Sequence, residues 1–156
     1  KEAPLVMTEN WIRSQYASIF SKLQGVKDLK ELGDIILREI SYAINAFAGT
    51  FYVSEIEKDN NTSQNISTLK LAATFGIDPQ KAKQSFVYGE GIIGQCAMDA
   101  RMRHIDSPPT DYMQIDSGLG HSQLKSIVIY PIIHEDSTCA VVEFASLVKF
   151  DDKEIM

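Results

Sequence analysis

Cysteine is scarce: Cys96 and Cys139 are the two in 156 residues, far apart and with no CxxC pair. That argues against a disulfide framework and a cysteine zinc site, and suits a reducing, cytoplasmic compartment. Positive charge is also short, with 15 Lys and Arg against 21 Asp and Glu and a formal net charge of −6. Such a chain carries no electrostatic footprint for a phosphate backbone, so no nucleic acid is expected as a partner. Long apolar runs are missing; the densest, Ile127 to Ile133, is interrupted by Tyr130 and Pro131, and no direct membrane contact is expected. Catalytic signatures are lacking as well: there is no GxSxG elbow, no Ser-His-Asp order and no HExxH. His104, His121 and His134 share neither i, i+4 nor HxH spacing, so neither a metal nor an enzyme activity is expected. The start without Met or a signal-peptide pattern, and an acidic helix start at Asp151 and Asp152 near the end, suggest a piece of a longer protein.

What remains is the recipe of one globular domain, 44% hydrophobic and 23% charged, large enough to close a core. Two regions are expected, a linker helix over 1–27 and the domain proper over 28–156. In the first, Ile12, Tyr16, Ile19, Leu23 and Val26 recur at steps of four and three, the 3.5-residue period of a coiled-coil seam, which points to a homodimer. The same stripe also fits an ordinary amphipathic surface helix. Asp28 caps a second helix, with Glu31 in capping-box position and Leu29, Leu32, Ile36, Ile40, Ala43 and Phe47 at helical spacing.

Thr50 to Glu57 and Ile66 to Phe75 read as a strand hairpin around the turn residues Lys58 to Asn65. Ser85 to Tyr88 is a short strand, Ile92 to Ala100 a helix, and Arg103 to Asp106 another short strand. Ser107 to Gln123 reads as a loop, yet Tyr112, Met113, Ile115 and Leu119 give it more apolar surface than an idle connection needs. Ser126 to His134 and Thr138 to Val148 form a closing hairpin, apolar on nearly every residue, so both faces of its sheet must be covered.

Gly89-x-Gly91-x-x-Gly94 matches a dinucleotide fingerprint, but the chain ends in an antiparallel hairpin with no room for a parallel sheet. The glycines are better explained by conformation: positive φ at Gly89 and Gly91, and close helix-to-sheet packing at Gly94. Cys96, near the start of the following helix, reads as a small buried hydrophobe or, alternatively, as a reactive thiol. Glu143 interrupts an apolar strand, so it either meets a solvated strip or is a buried carboxylate needing a partner or a ligand.

The order of elements, the run Gly89-Glu90-Gly91-Ile92-Ile93-Gly94-Gln95-Cys96-Ala97 and the ending Val141-Val142-Glu143-Phe144-Ala145-Ser146 together resemble a GAF domain over about residues 28 to 156. The runs Asn10-Trp11-Ile12-Arg13-Ser14-Gln15 and Asp111 to Gly120 look like the GAF domains of bacterial hybrid sensor histidine kinases. The resemblance implies an α+β sandwich: a central antiparallel sheet of five or six strands, with helices on one face and a ligand-pocket loop on the other. It further implies an input domain that senses a small molecule for an attached histidine kinase, in the cytoplasm or as the cytoplasmic part of a membrane-anchored sensor. Candidate pocket residues are Phe75, Ile93, Cys96, Tyr112, Ile115, Ser117, Tyr130, Glu143 and Phe144. No cofactor is expected, and the small molecule is unidentified. The cyclic-nucleotide set of the family is reduced to Lys149, Phe150 and Asp151, the bilin Cys-His pair is absent, and Met113 to Gly120 lacks the cysteine of the methionine sulfoxide reductases. Two alternatives stay open, a dimerisation scaffold with a filled core and a thiol redox sensor using Cys96.

Overall fold

The computed structural model describes residues 28–109, 111–112 and 114–150. The proposed dimer seam, Ile12 to Val26, lies outside them. Helix α1, Leu29–Ile44, starts where Asp28 accepts a hydrogen bond from the Lys30 amide and stops at Asn45, whose left-handed φ of 58° turns the chain into the sheet. Its buried side, Gly33, Leu37, Ser41 and Ile44, recurs at the helical steps that place side chains on one face.

Eight strands follow: β1 Ala48–Lys58, β2 Asn65–Phe75, β3 Ser85–Val87, β4 Arg103–Asp106, β5 Gln114–Ser117, β6 Gly120–Gln123, β7 Ser126–His134 and β8 Ser137–Ser146. Six of them form one antiparallel sheet in the order β3-β2-β1-β8-β7-β4. The closing hairpin therefore sits inside the sheet, with β8 paired to the first strand along Ala48 to Val53. Its turn is just Glu135 and Asp136, both at positive φ, as a tight hairpin with the native twist demands.

The sheet separates two cores. On one face α1 packs chiefly on β1 and β2, where Leu37, Phe51, Ala73, Val142 and Phe144 are buried. Gly33 makes that approach possible, because a Cβ there would lie 2.7 Å from the Ala73 Cβ. On the other face, helix α2, Gly91–Asp99, buries Ile93, Cys96 and Ala97 against Leu69, Ile129, Val141 and Ala145. The two described helices thus cover opposite faces, whereas one helical face was expected. A further difference concerns 107–123: this segment carries a small ribbon of its own, β5 paired with β6. Its period-two pattern is obscured in the sequence by the flanking Pro108, Pro109, Gly118 and Gly120.

Among the described residues, no helix is long and apolar enough to cross a membrane, and no three His, Cys, Asp or Glu side chains are grouped to hold a metal ion.

Candidate functional site

The glycine-rich turn positions α2. Gly89 and Gly91 take φ of +86° and +63°, which a side chain would strain, and a Cβ on Gly94 would stand 2.4 Å from the Val87 carbonyl oxygen. The Gly89 amide donates to the Gly94 carbonyl at 2.9 Å, closing the turn on the first turn of the helix. Glu90 precedes α2, and its carboxylate accepts from the Val87 amide at 2.9 Å and pairs with Lys83. The Lys83 ammonium, with help from that amide, holds the Glu90 carboxyl below its usual range. At its far end α2 is tied to β8, where the Thr138 hydroxyl donates to the Ala97 carbonyl at 2.8 Å.

This anchoring leaves a hollow between α2, the sheet and the β2–β3 connection, a cavity of about 570 Å³. Ligand pockets begin near ~300 Å³, so the space suffices for a small molecule. Tyr52, Ile77, Phe86 and Ile93 give it apolar walls, with Tyr112 and Glu143 also on its surface. The rings of Tyr52 and Phe86 meet edge to face at 5.3 Å between centroids, and the Tyr52 hydroxyl is satisfied by donating to the Lys83 carbonyl at 2.7 Å.

Glu143 is the polar centre. Strand alternation sends Val142 and Phe144 to the α1 face and Val141 and Ala145 to the α2 face, so Glu143 between them reaches the cavity. Thr50 is its direct partner across the β1–β8 pairing, and the Thr50 hydroxyl donates to Oε1 at 3.2 Å. Tyr112 donates to Oε2 at 3.0 Å, bridging the 107–123 segment to the centre of the sheet. Burial raises the Glu143 carboxyl above its ordinary range, outweighing the two hydrogen bonds, which favour the anion. The Tyr112 phenol is raised too, by burial first and then by the neighbouring carboxylate.

Of the candidates read from the sequence, Ile93, Tyr112 and Glu143 meet at this cavity. Cys96 belongs to the same core cluster but is fully buried, its Sγ 3.9 Å from the Ile129 carbonyl oxygen, and burial pushes its thiol up to about 11. A thiol so placed has little thiolate to offer, which removes the support for a redox sensor at Cys96. Phe75, Tyr130 and Phe144 lie on the α1 face, a correction with a simple cause. Tyr130 and Phe144 have the wrong parity, and β2 carries an extra residue at Ala72, where Phe51 pairs with Ala73 but Tyr52 with Leu71. That bulge reverses the alternation, so Leu69 and Leu71 face α2 while Ala73 and Phe75 face α1. Ile115 and Ser117 lie in β5.

Thr50, Tyr52, Ile77 and Phe86 are among the lining residues that the sequence reading missed. Thr50 and Tyr52 share a face by alternation, a signal that becomes usable only once β1 is known to pair with β8.

Comparison with known families and structures places this arrangement. The GAF domain family matches residues 26–156. Among solved structures, the GAF domain of a phosphoenolpyruvate-protein phosphotransferase from Coxiella burnetii is 19% identical with a TM-score of 0.63, covering 90% of this chain and 82% of its own. The A. aeolicus nlh2 GAF domain in an inactive state has 15% identity, a TM-score of 0.60 and coverage of 94% and 85%. The free methionine-R-sulfoxide reductase from Neisseria meningitidis in complex with its substrate is 19% identical, with a TM-score of 0.59 and coverage of 92% and 78%. Comparison with curated protein sequences finds no match.

Proposed function

The chain belongs to the GAF domain family, and from that premise we propose that it is the small-molecule-sensing input domain of a bacterial signal-transduction protein. The observation that carries this reading is a cavity of about 570 Å³ with a half-buried carboxylate on its surface, bonded to a tyrosine of the 107–123 segment. A filled-core scaffold has no use for such a hollow, since a void forfeits contacts and a buried carboxylate costs free energy. A molecule entering beside Glu143 shares that carboxylate with Tyr112, so occupancy is coupled to the position of that segment. Differential affinity for its two positions is what a signal requires.

The output lies outside the described residues. The 3.5-residue seam of Ile12, Tyr16, Ile19, Leu23 and Val26 favours a homodimer through the preceding helix, and the sequence resemblance favours an attached sensor histidine kinase in the cytoplasm. Ile19→Asp should then convert a dimer to a monomer by light scattering. A regulatory rather than catalytic role is supported by the lack of a cysteine from Met113 to Gly120 and by the burial of Cys96.

Native mass spectrometry of the purified protein, compared with its denatured mass, tests the sensory reading. Extra mass that disappears on denaturation identifies a retained molecule. Protein that carries nothing and shows no thermal shift with any small molecule in a broad metabolite panel would overturn it.

A further inference from the structure

The cavity is chemically lopsided. Its apolar side includes the rings of Tyr52, Phe86 and Tyr112, and aromatic walls favour organic cations through their negative ring faces. On its surface lies the Glu143 carboxylate, which accepts one hydrogen bond on each oxygen, from Thr50 and from Tyr112. An ionised carboxylate has about four acceptor sites, so about two remain for a ligand. They can be used only by a donor. An anion brought to the same carboxylate would meet like charge. Lys81 and Lys83, on the connection between β2 and β3, also line the cavity. Lys83 is already paired with Glu90 and stands over the Phe86 ring at 4.7 Å.

We infer that the cavity takes a small molecule with a protonated amine at one end and an apolar body at the other, the ammonium donating to the Glu143 carboxylate. This rests on the sensory reading above and adds to it the class of ligand. Charge complementarity at Glu143 supplies the selection, and the aromatic walls supply the bulk of the contact.

Three probes with the same ring and different heads test the inference by calorimetry on the whole chain at neutral pH: phenethylamine, 2-phenylethanol and 3-phenylpropionate. The amine should bind about tenfold or more tightly than the alcohol, because a charge-assisted hydrogen bond replaces a neutral one; the carboxylate should bind weakest. Glu143→Gln, nearly isosteric, should lower the amine to the level of the alcohol. Tyr112→Phe, which keeps the carboxylate, should preserve the preference. If 3-phenylpropionate binds as well as phenethylamine, or Glu143→Gln leaves the amine's advantage intact, the inference is overturned while the cavity remains a ligand site. A retained molecule lacking an amine would have the same effect. If all three probes fail at millimolar concentration, this inference is overturned; the sensory reading falls with it only if no molecule is retained and the metabolite panel gives no thermal shift.

Discussion

The two faces of the central sheet share the same strands and do different things. Toward α1, β8 presents Val142 and Phe144, which are buried together with Leu37, Phe51 and Ala73. Toward α2, the same strand presents Val141 and Ala145 to a packed core, with Glu143 between them at a hollow. Neighbouring residues one peptide apart are thus assigned to stability and to recognition. A sheet covered on both sides can hold a cavity with apolar walls and one carboxylate on one face while buried side chains on the other face hold the fold together. The cost of the cavity is local, in keeping with the general opposition between stability and binding sites.

Substitutions on either side of that boundary should separate the two roles. Phe144→Ala, on the α1 face, should cost about 3–5 kcal/mol in denaturant unfolding, since its ring is fully buried. A loss under about 1 kcal/mol would show that this face is not the stabilising one. Gly94→Ala acts on the hollow face by pushing α2 off the Val87 carbonyl. It should cost about 1–3 kcal/mol and, because Ile93 moves with the helix, also reduce retention of any bound molecule. Unchanged thermal stability would contradict the close approach described here.

Glu143→Gln should move the other way, stabilising the protein by about 1 kcal/mol at neutral pH while weakening ligand binding. The sign follows from linkage. The folded carboxyl sits above its ordinary 4.5, so the folded state holds its proton longer than the unfolded chain does. Stability from this group is therefore fully present below about 4.5 and falls as pH rises from there through the raised folded value. The Gln variant should lack this decline, and parallel pH profiles for the two proteins would refute it. The smallest effect concerns the thiols: iodoacetamide at neutral pH should label exposed Cys139 and leave buried Cys96 untouched until unfolding. A second adduct on the native protein would show that the α2 face opens far more than its packing implies.

Much of this was legible beforehand. Asp28 caps α1 because a side-chain oxygen before a periodic apolar run has few other uses, and Arg103–Asp106 and Ser126–His134 carry enough β-branched or alternating residues to mark their strands. Gly89, Gly91 and Gly94 could be read for conformation because local backbone geometry depends on local sequence. The β5–β6 ribbon escaped notice since its four-residue strands are too short to show a period.

The candidate site was harder, because a pocket is made of residues whose separation along the chain is unrelated to their separation in space. Tyr112 and Glu143 were found individually by being out of place, an aromatic in a loop and a charge in an oily strand. Their bond could not be foreseen. Thr50 was hidden until β1 was paired with β8, and Phe75 was misassigned because one inserted residue, Ala72, reverses the alternation beyond it.

The sequence by itself determined the main elements other than the β5–β6 ribbon and the need for cover on both sides of the sheet, since capping, turn chemistry and hydrophobic period act over a few residues. Only the tertiary structure decided which face each side chain joins and which carboxylate a tyrosine 31 residues away would reach. Register and bulges are set by the packing of strands distant in the chain, and a shift of one residue exchanges the two faces.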